Sequence, residues 1–227
     1  MTDYYNLTYT SPERVAAHGD GNLGQWESIP CPITTQHLDG YRRISPLYIE
    51  VRHNRRDESV IWGAAGLAVH ERVLEGFERQ GFTGYRSKQA LVRFRDATES
   101  TEYREFVVTG WAGIASPESG VQLVCSCRAC HYKAYSPITD FEKIIDWNQW
   151  TGEDFFIVWP MGKHRLCTER VAQWLLASKL KSFRLEKGFA ELQRDSLVSQ
   201  FGVATGRLSD DLPEDLAIKY GSPLGLE

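Results

Sequence analysis

The 227-residue sequence has no run of 18 apolar residues, so no membrane-spanning helix is expected. Its first residues, Met1-Thr2-Asp3-Tyr4-Tyr5-Asn6, have neither a basic stretch nor an apolar core, which argues against a secretory signal and for a cytoplasmic location. Signatures of catalysis are also missing. There is no Gly-x-Ser-x-Gly elbow, no Gly-rich phosphate loop and no His-Glu-x-x-His; His70-Glu71-Arg72-Val73 lacks the second histidine. Cys167 with His164 three residues before it does not match a cysteine-protease pattern. These absences lead us to expect a protein that is not an enzyme. An excess of positive charge is lacking as well: 26 Lys and Arg stand against 30 Asp and Glu. Phosphate neutralisation dominates nucleic-acid binding and needs clustered cations, so no nucleic-acid partner and no membrane partner is expected.

What is present suits a folded chain with a substantial core. Hydrophobic residues make up 42% and charged residues 25%, and there are seven tryptophans to bury. The net charge of −4 is concentrated at one end. Residues 209–227 hold Asp210, Asp211, Glu214, Asp215 and Glu227 against Lys219 alone, so the remainder is balanced. That acidic end reads either as a solvated tail or as a contact arm for a basic partner.

The first 45 residues carry turn chemistry, as in Gly19-Asp20-Gly21-Asn22 and Pro30-Cys31-Pro32, and are read as irregular with one or two short strands. Strands are expected near 46–51, 59–62 and 82–94. A helix is expected over 69–80, where Val73 and Phe77 share a face and Gly81 suits the position after the helix. The middle, about 101–138, reads as β, followed by a buried strand at 154–159 and a helix starting near Thr168. The two halves correspond. Val69-His70-Glu71-Arg72-Val73 lies over Cys167-Thr168-Glu169-Arg170-Val171 at an offset of 98 residues, continuing without a gap to Arg86 over Arg184. After a one-residue gap upstream, Val60-Ile61-Trp62-Gly63 is placed over Ile157-Val158-Trp159-Pro160. The Glu-Arg pairs read as helix-start acids on the dipole with neighbouring arginines. The expected fold is α+β: two related strand–helix–strand units joined by a β-rich middle segment. The expected division is 1–98, an N-terminal segment with the first unit, and 99–227, the cysteine-containing β segment with the second unit and the acidic tail.

Five cysteines are present, and three fall within six residues, too close for a disulfide framework. Cys125-Ser126-Cys127-Arg128-Ala129-Cys130-His131 is the strongest chemical feature. A CxxC on a tight turn aims two thiolates at one centre, and Zn²⁺ takes four N or S ligands in a tetrahedron. Cys31, Cys125, His131 and Cys167 are the candidates for the other two positions, with Cys125 and Cys31 preferred. Cys125 and Cys127 point the same way if the strand continues. The alternative is that these thiols are small buried hydrophobes. The loop-like stretch around Trp147 and Trp150 ends in Glu153 and Asp154. Together with Asp210 and Asp211 it reads as a protein-recognition surface, or as cover for the edge of the core.

The second unit resembles a known family. Phe155-Phe156-Ile157-Val158-Trp159-Pro160, then Thr168-Glu169-Arg170-Val171, then Leu180-Lys181-Ser182-Phe183-Arg184-Leu185 are similar to the C-terminal half of bacterial polymorphic-toxin immunity proteins. These are the double-CxxCG-motif proteins, related to the swarming-inhibition immunity proteins, and a further immunity family of the same toxin systems. The resemblance covers about residues 100–187, and 46–95 only through the repeat. Two departures stand out. His131 stands where the motif has Gly, and Cys31-Pro32-Ile33-Thr34 lacks the second Cys and the Gly of the other motif. The resemblance implies a protein that binds and neutralises a cognate toxin domain, with no catalytic residues of its own. A metal-binding regulatory module and an unrecognised enzyme are the competing readings.

Overall fold

The computed structural model describes residues 3–9, 25–37, 40–63, 66–180, 182–190 and 205–226. The turn expected at Gly19–Asn22 lies outside them, as does Glu227. The chain is α+β. Two larger sheets carry the fold, and two small ones carry the cysteines other than Cys167, which lies in a large sheet.

The first large sheet holds β4 (Leu47–Glu50), β5 (Val60–Gly63), β6 (Gly66–His70), β7 (Tyr85–Arg93) and β9 (Tyr103–Val108) in the order β4-β7-β9-β6-β5, with the short β8 (Glu99–Ser100) beside β7. The second holds β1 (Tyr4–Tyr9), β10 (Gly110–Ile114), β13 (Phe155–Trp159), β14 (Leu166–Thr168) and β15 (Phe183–Lys187) in the order β10-β13-β14-β1-β15. In each, an antiparallel hairpin (β5/β6, β13/β14) runs into a nine-residue helix. These are α1 (Glu71–Arg79) and α2 (Glu169–Ala177), which lie at the expected offset of 98. Each helix then returns the chain to a strand parallel to the one before it, with a third strand between the two: β9 in one sheet, β1 in the other.

The repeat extends to backbone conformation. Gly81 and Lys179, 98 residues apart, both take left-handed φ after their helices, as do Gly84 and Ser182. The helix starts differ chemically. His70 Nδ1 accepts the Arg72 amide at 3.3 Å, a side-chain cap. Thr168 makes no such bond and instead donates to Asp154 Oδ1 at 3.2 Å.

Two expectations need correction. The one-residue gap upstream is three residues in register. Val60 pairs with Val69, and the partner of Cys167, which corresponds to Val69, is Phe155 rather than Ile157. Trp62 and Trp159 are therefore not equivalent: Trp62 is 48% exposed, while Trp159 is 1% exposed in the core. A shift of two residues preserves the facing of every side chain, so the apolar pattern alone could not reveal it. The boundary at 98/99 is likewise not a boundary between sheets. β1 crosses into the second sheet and β9 returns to the first, and the chain passes between sheets at Thr109, from β9 to β10.

β13 explains the layering. All five of its residues are buried: Phe155, Ile157 and Trp159 on one face, Phe156 and Val158 on the other. The first face joins a core shared by both sheets and both helices, with Val60, Val69, Phe77, Phe106, Val171 and Leu175. The second packs on Ala112, Ile138, Phe141 and Ile144. The outer side of the first sheet has its own cluster around Leu47, Ile49, Val92 and Tyr103.

The two helices meet at equivalent positions. A Cβ on Gly76 would lie 2.7 Å from Trp174 Cζ2, and 76 plus the repeat offset is 174. The indole occupies the space a side chain would fill. Alanine is intrinsically favoured over glycine in a helix by about 1 kcal/mol, so for Gly76→Ala the propensity gain and the clash have opposite signs. A valine removes the ambiguity. Gly76→Val is expected to destabilise the protein by about 1–3 kcal/mol, and Gly76→Val with Trp174→Ala is expected to recover part of the loss. Urea denaturation of Gly76→Val, Trp174→Ala and the double variant checks this; additive effects of the two substitutions would exclude the contact.

Candidate metal centre

Two hairpins outside the large sheets bring Cys31, Cys127 and Cys130 together with His37. The first consists of β2 (Trp26–Ile29) and β3 (Gly40–Arg43), paired from Trp26↔Arg43 to Ile29↔Gly40. Cys31 and His37 lie in the segment leaving β2. The second consists of β11 (Leu123–Ser126) and β12 (Lys133–Tyr135), and Cys127 and Cys130 sit on the turn between them. The free edge of β12 pairs with β16 (Thr205–Gly206), which leads directly into Arg207. Arg207 is 4% exposed. Its Nε donates to the Cys130 carbonyl at 2.6 Å and its Nη2 to the Ile29 carbonyl at 3.4 Å, so one buried guanidinium bridges the two hairpins.

The ligand atoms of Cys31, His37, Cys127 and Cys130 all lie within 4.8 Å of one another, close enough to hold a metal ion. Cys31 Sγ is 3.9 Å from Cys127 Sγ, and Cys130 Sγ is 3.6 Å from His37 Nδ1. With metal–sulfur bonds of about 2.3 Å, the edge of a tetrahedron is roughly 3.8 Å, so both separations match edges. The local electrostatics suit thiolate at Cys127. The amides of Cys130 and Ala129 point at its sulfur and hold its pKa below the usual thiol range. Burial instead raises the Cys130 thiol. The His37 ring stacks on Tyr132, with centroids 4.7 Å apart and planes 13° apart.

Of the four expected metal residues, Cys31, Cys127 and Cys130 come together and Cys125 does not join them. β11 ends at Ser126, with a register shift between Leu123 and Cys125, so Cys127 is off the strand and the expected alternation fails. His37 takes the fourth position. It went unrecognised because Cys31 and His37 are separated by five residues in a loop, a spacing with no strong motif. The nearness of a histidine to the otherwise isolated Cys31 was the available signal. His131 is exposed and outside the set; its φ of 58° is the left-handed turn position that glycine adopts without strain. Cys167 is fully buried in the shared core, and burial pushes its thiol pKa far up.

The expected recognition residues are mostly engaged within the fold. Trp147 and Trp150 are half-buried, packed edge-to-face with centroids 5.5 Å apart and both against Phe156. They therefore cover the edge of the second core. Glu153 is half-buried and accepts the Thr151 hydroxyl. Asp154 is buried, and its carboxylate accepts bonds from the Thr83 amide and hydroxyl, the Thr168 hydroxyl, and Nε and Nη2 of Arg170. It is a structural acid and is not available to a partner. The acidic end is not an arm. Leu208, Leu212, Leu216 and Ala217 of α3 (Leu208–Asp211), α4 (Glu214–Gly221) and their linker join the shared core, and Tyr220 stacks on Trp111 at 5.2 Å. Asp215 pairs with Arg86 at 2.9 Å and Glu214 with Arg42 at 3.5 Å. Asp210 accepts the Arg207 amide at 2.8 Å, and burial pushes Asp211 up to about 7.

No protein-family model matches the chain, and no curated protein matches it. Among the described residues, no helix is long and apolar enough to cross a membrane.

Proposed function

We propose that this protein is an immunity protein that binds and neutralises a cognate toxin domain by occluding its active site, and that Cys31, His37, Cys127 and Cys130 hold a structural zinc ion. The resemblance to the double-CxxCG proteins motivates the reading. The observation that carries it is the left-handed backbone at His131. That is a conformation glycine adopts without strain, so His131 occupies a backbone position that the glycine of the motif would suit. Three thiolates and one imidazole form a donor set suited to tetrahedral zinc. Zinc here is structural, because all four ligand positions come from the protein.

Purified protein is expected to carry one zinc per chain by elemental analysis, and Cys127→Ser with Cys130→Ser is expected to abolish it. Protein free of zinc and iron after purification without chelators, and unable to take up either, would end the metal reading.

Toxin neutralisation has a separate test. Co-expression with the toxin domain encoded beside the gene is expected to restore growth, through a one-to-one complex in the nanomolar range or tighter. Occlusion on that scale needs roughly 1,600 Å² of buried surface with aromatic anchors. The exposed edges of Trp147 and Trp150, with Glu153 and Asp210 beside the remaining acids, are the proposed contact. Trp147→Ala with Trp150→Ala should weaken the complex at least tenfold at a temperature where circular dichroism shows the variant, destabilised by the lost packing on Phe156, still folded. If acids steer the encounter, raising salt should slow association more than it speeds dissociation. A protein that forms no complex with the neighbouring toxin and protects no cell from it is not an immunity protein. The four-ligand centre also fits a metal-binding regulatory module acting on nucleic acid, for which filter binding with a steep salt dependence would be the signature.

A further inference from the structure

We propose that Cys125 is a positioning residue of the metal centre: it accepts the Nε2–H of His37, so that the imidazole meets the metal through Nδ1. The inference rests on the metal reading above and concerns how the weakest part of the site, a histidine on a loop, is held.

The two ring nitrogens of His37 face different sulfurs. Nδ1 is 3.6 Å from Cys130 Sγ and Nε2 is 3.8 Å from Cys125 Sγ. Only the first of these thiols belongs to the set whose ligand atoms are mutually within 4.8 Å; Cys125 lies outside it. A neutral imidazole has one lone pair and one N–H. The nitrogen on the tetrahedral edge must supply the lone pair, so the proton sits on Nε2 and points at Cys125 Sγ. Which nitrogen of a histidine binds metal is set by the hydrogen bond the other one makes. Sulfur is a weak acceptor, but this one is well anchored. Cys125 is on β11, opposite Ala134 of β12, in the same hairpin that holds Cys127 and Cys130. The bond therefore ties the loop carrying His37 to the other hairpin, and the stacking on Tyr132 fixes the ring plane. A thiol near a CxxC is easily counted as a ligand; here the geometry assigns it to the histidine.

The test uses the full chain loaded with cobalt(II) and with zinc. The variants are Cys125→Ala and Cys125→Ser, with Cys127→Ser as the ligand control. Cys125→Ala is expected to keep one ion per chain and the same intensity of thiolate-to-cobalt charge-transfer absorption, with metal affinity reduced about 10–100-fold, as for other partners of metal-bound histidines. Cys125→Ser, whose hydroxyl also accepts, should recover most of that affinity. In ¹⁵N-labelled zinc protein, His37 is expected to show a protonated Nε2, with faster exchange of that proton in Cys125→Ala. Charge-transfer intensity in Cys125→Ala that drops as in Cys127→Ser would make Cys125 a ligand and overturn the proposal. So would a His37 protonated at Nδ1, or an affinity unchanged in Cys125→Ala. Wild-type protein that binds neither metal would instead defeat the metal reading on which the proposal stands.

Discussion

The contact of Gly76 with Trp174 is the constraint around which the two units are arranged. Gly76 and Trp174 hold corresponding positions of the repeat, so at this contact the two copies meet through the same point of their helices. At such a point two large side chains compete for one space and two glycines leave a void. This chain resolves the conflict by divergence, one copy carrying the indole and the other nothing. Rings gather around that point: Phe77 lies 5.3 Å from Trp174 and 5.1 Å from Phe155, and Phe155 lies 5.1 Å from Phe106. The polar groups follow the same exchange. Thr83, beyond α1, bonds Asp154 ahead of β13, and Ser182, beyond α2, bonds Glu58 ahead of β5. Each unit closes the entry strand of the other, so neither hairpin–helix unit has a complete core alone.

The Cys31–His37–Cys127–Cys130 cluster stands outside this arrangement and is held by different means. Its apolar cluster consists of Cys127, Cys130 and Tyr132, with Cys31, Cys125 and Ala134 packed alongside. Two short hairpins with so little apolar area do not hold together by burial. Arg207 supplies one tie through two carbonyls. Coordination, on the zinc reading proposed above, would supply the larger one, since structural zinc contributes on the order of 10 kcal/mol of apparent binding energy in small domains.

Local chemistry was legible and long-range pairing was not. The helix starts at Glu71 and Glu169 show in the sequence because caps, first-turn acids and the 3.6 period all act within a few residues. The positive-φ pair Gly81 and Lys179 is legible only at Gly81, because lysine carries no mark of a left-handed position. β1 could not be placed, because its partners β14 and β15 lie some 160 to 180 residues away in sequence. The acidic end misled through its charge. Leu208, Leu212 and Leu216 recur every four residues, which is a buried-face pattern, while Asp210, Asp211, Glu214 and Asp215 between them drew attention to solvent. The CxxC marked one half of the cluster, Cys127 and Cys130, from one hairpin. The other half of the site, Cys31 with His37, depends on a meeting of loops that sequence spacing does not encode.

The two anchoring modes separate two surfaces that could meet a partner. Trp147 and Trp150 are fixed by packing on the second core, and nothing about them depends on coordination. Ile33, in the loop between Cys31 and His37, and Leu123 and Val124, on β11 just before Cys125, are exposed apolar side chains on the hairpins that the proposed metal would tie together; Ile33 is 73% and Val124 70% exposed. Ordering such loops beforehand removes an entropic cost that association would otherwise carry. The metal therefore matters to binding only if the hairpins take part in it. Chelation should leave a complex built on the tryptophan edge nearly intact and should weaken one built on the hairpins through faster dissociation. On the immunity and zinc readings proposed above, measuring affinity for the proposed toxin domain before and after metal removal, with the large sheets shown to stay folded, thus distinguishes a centre that serves the interface from one that serves only the hairpins themselves.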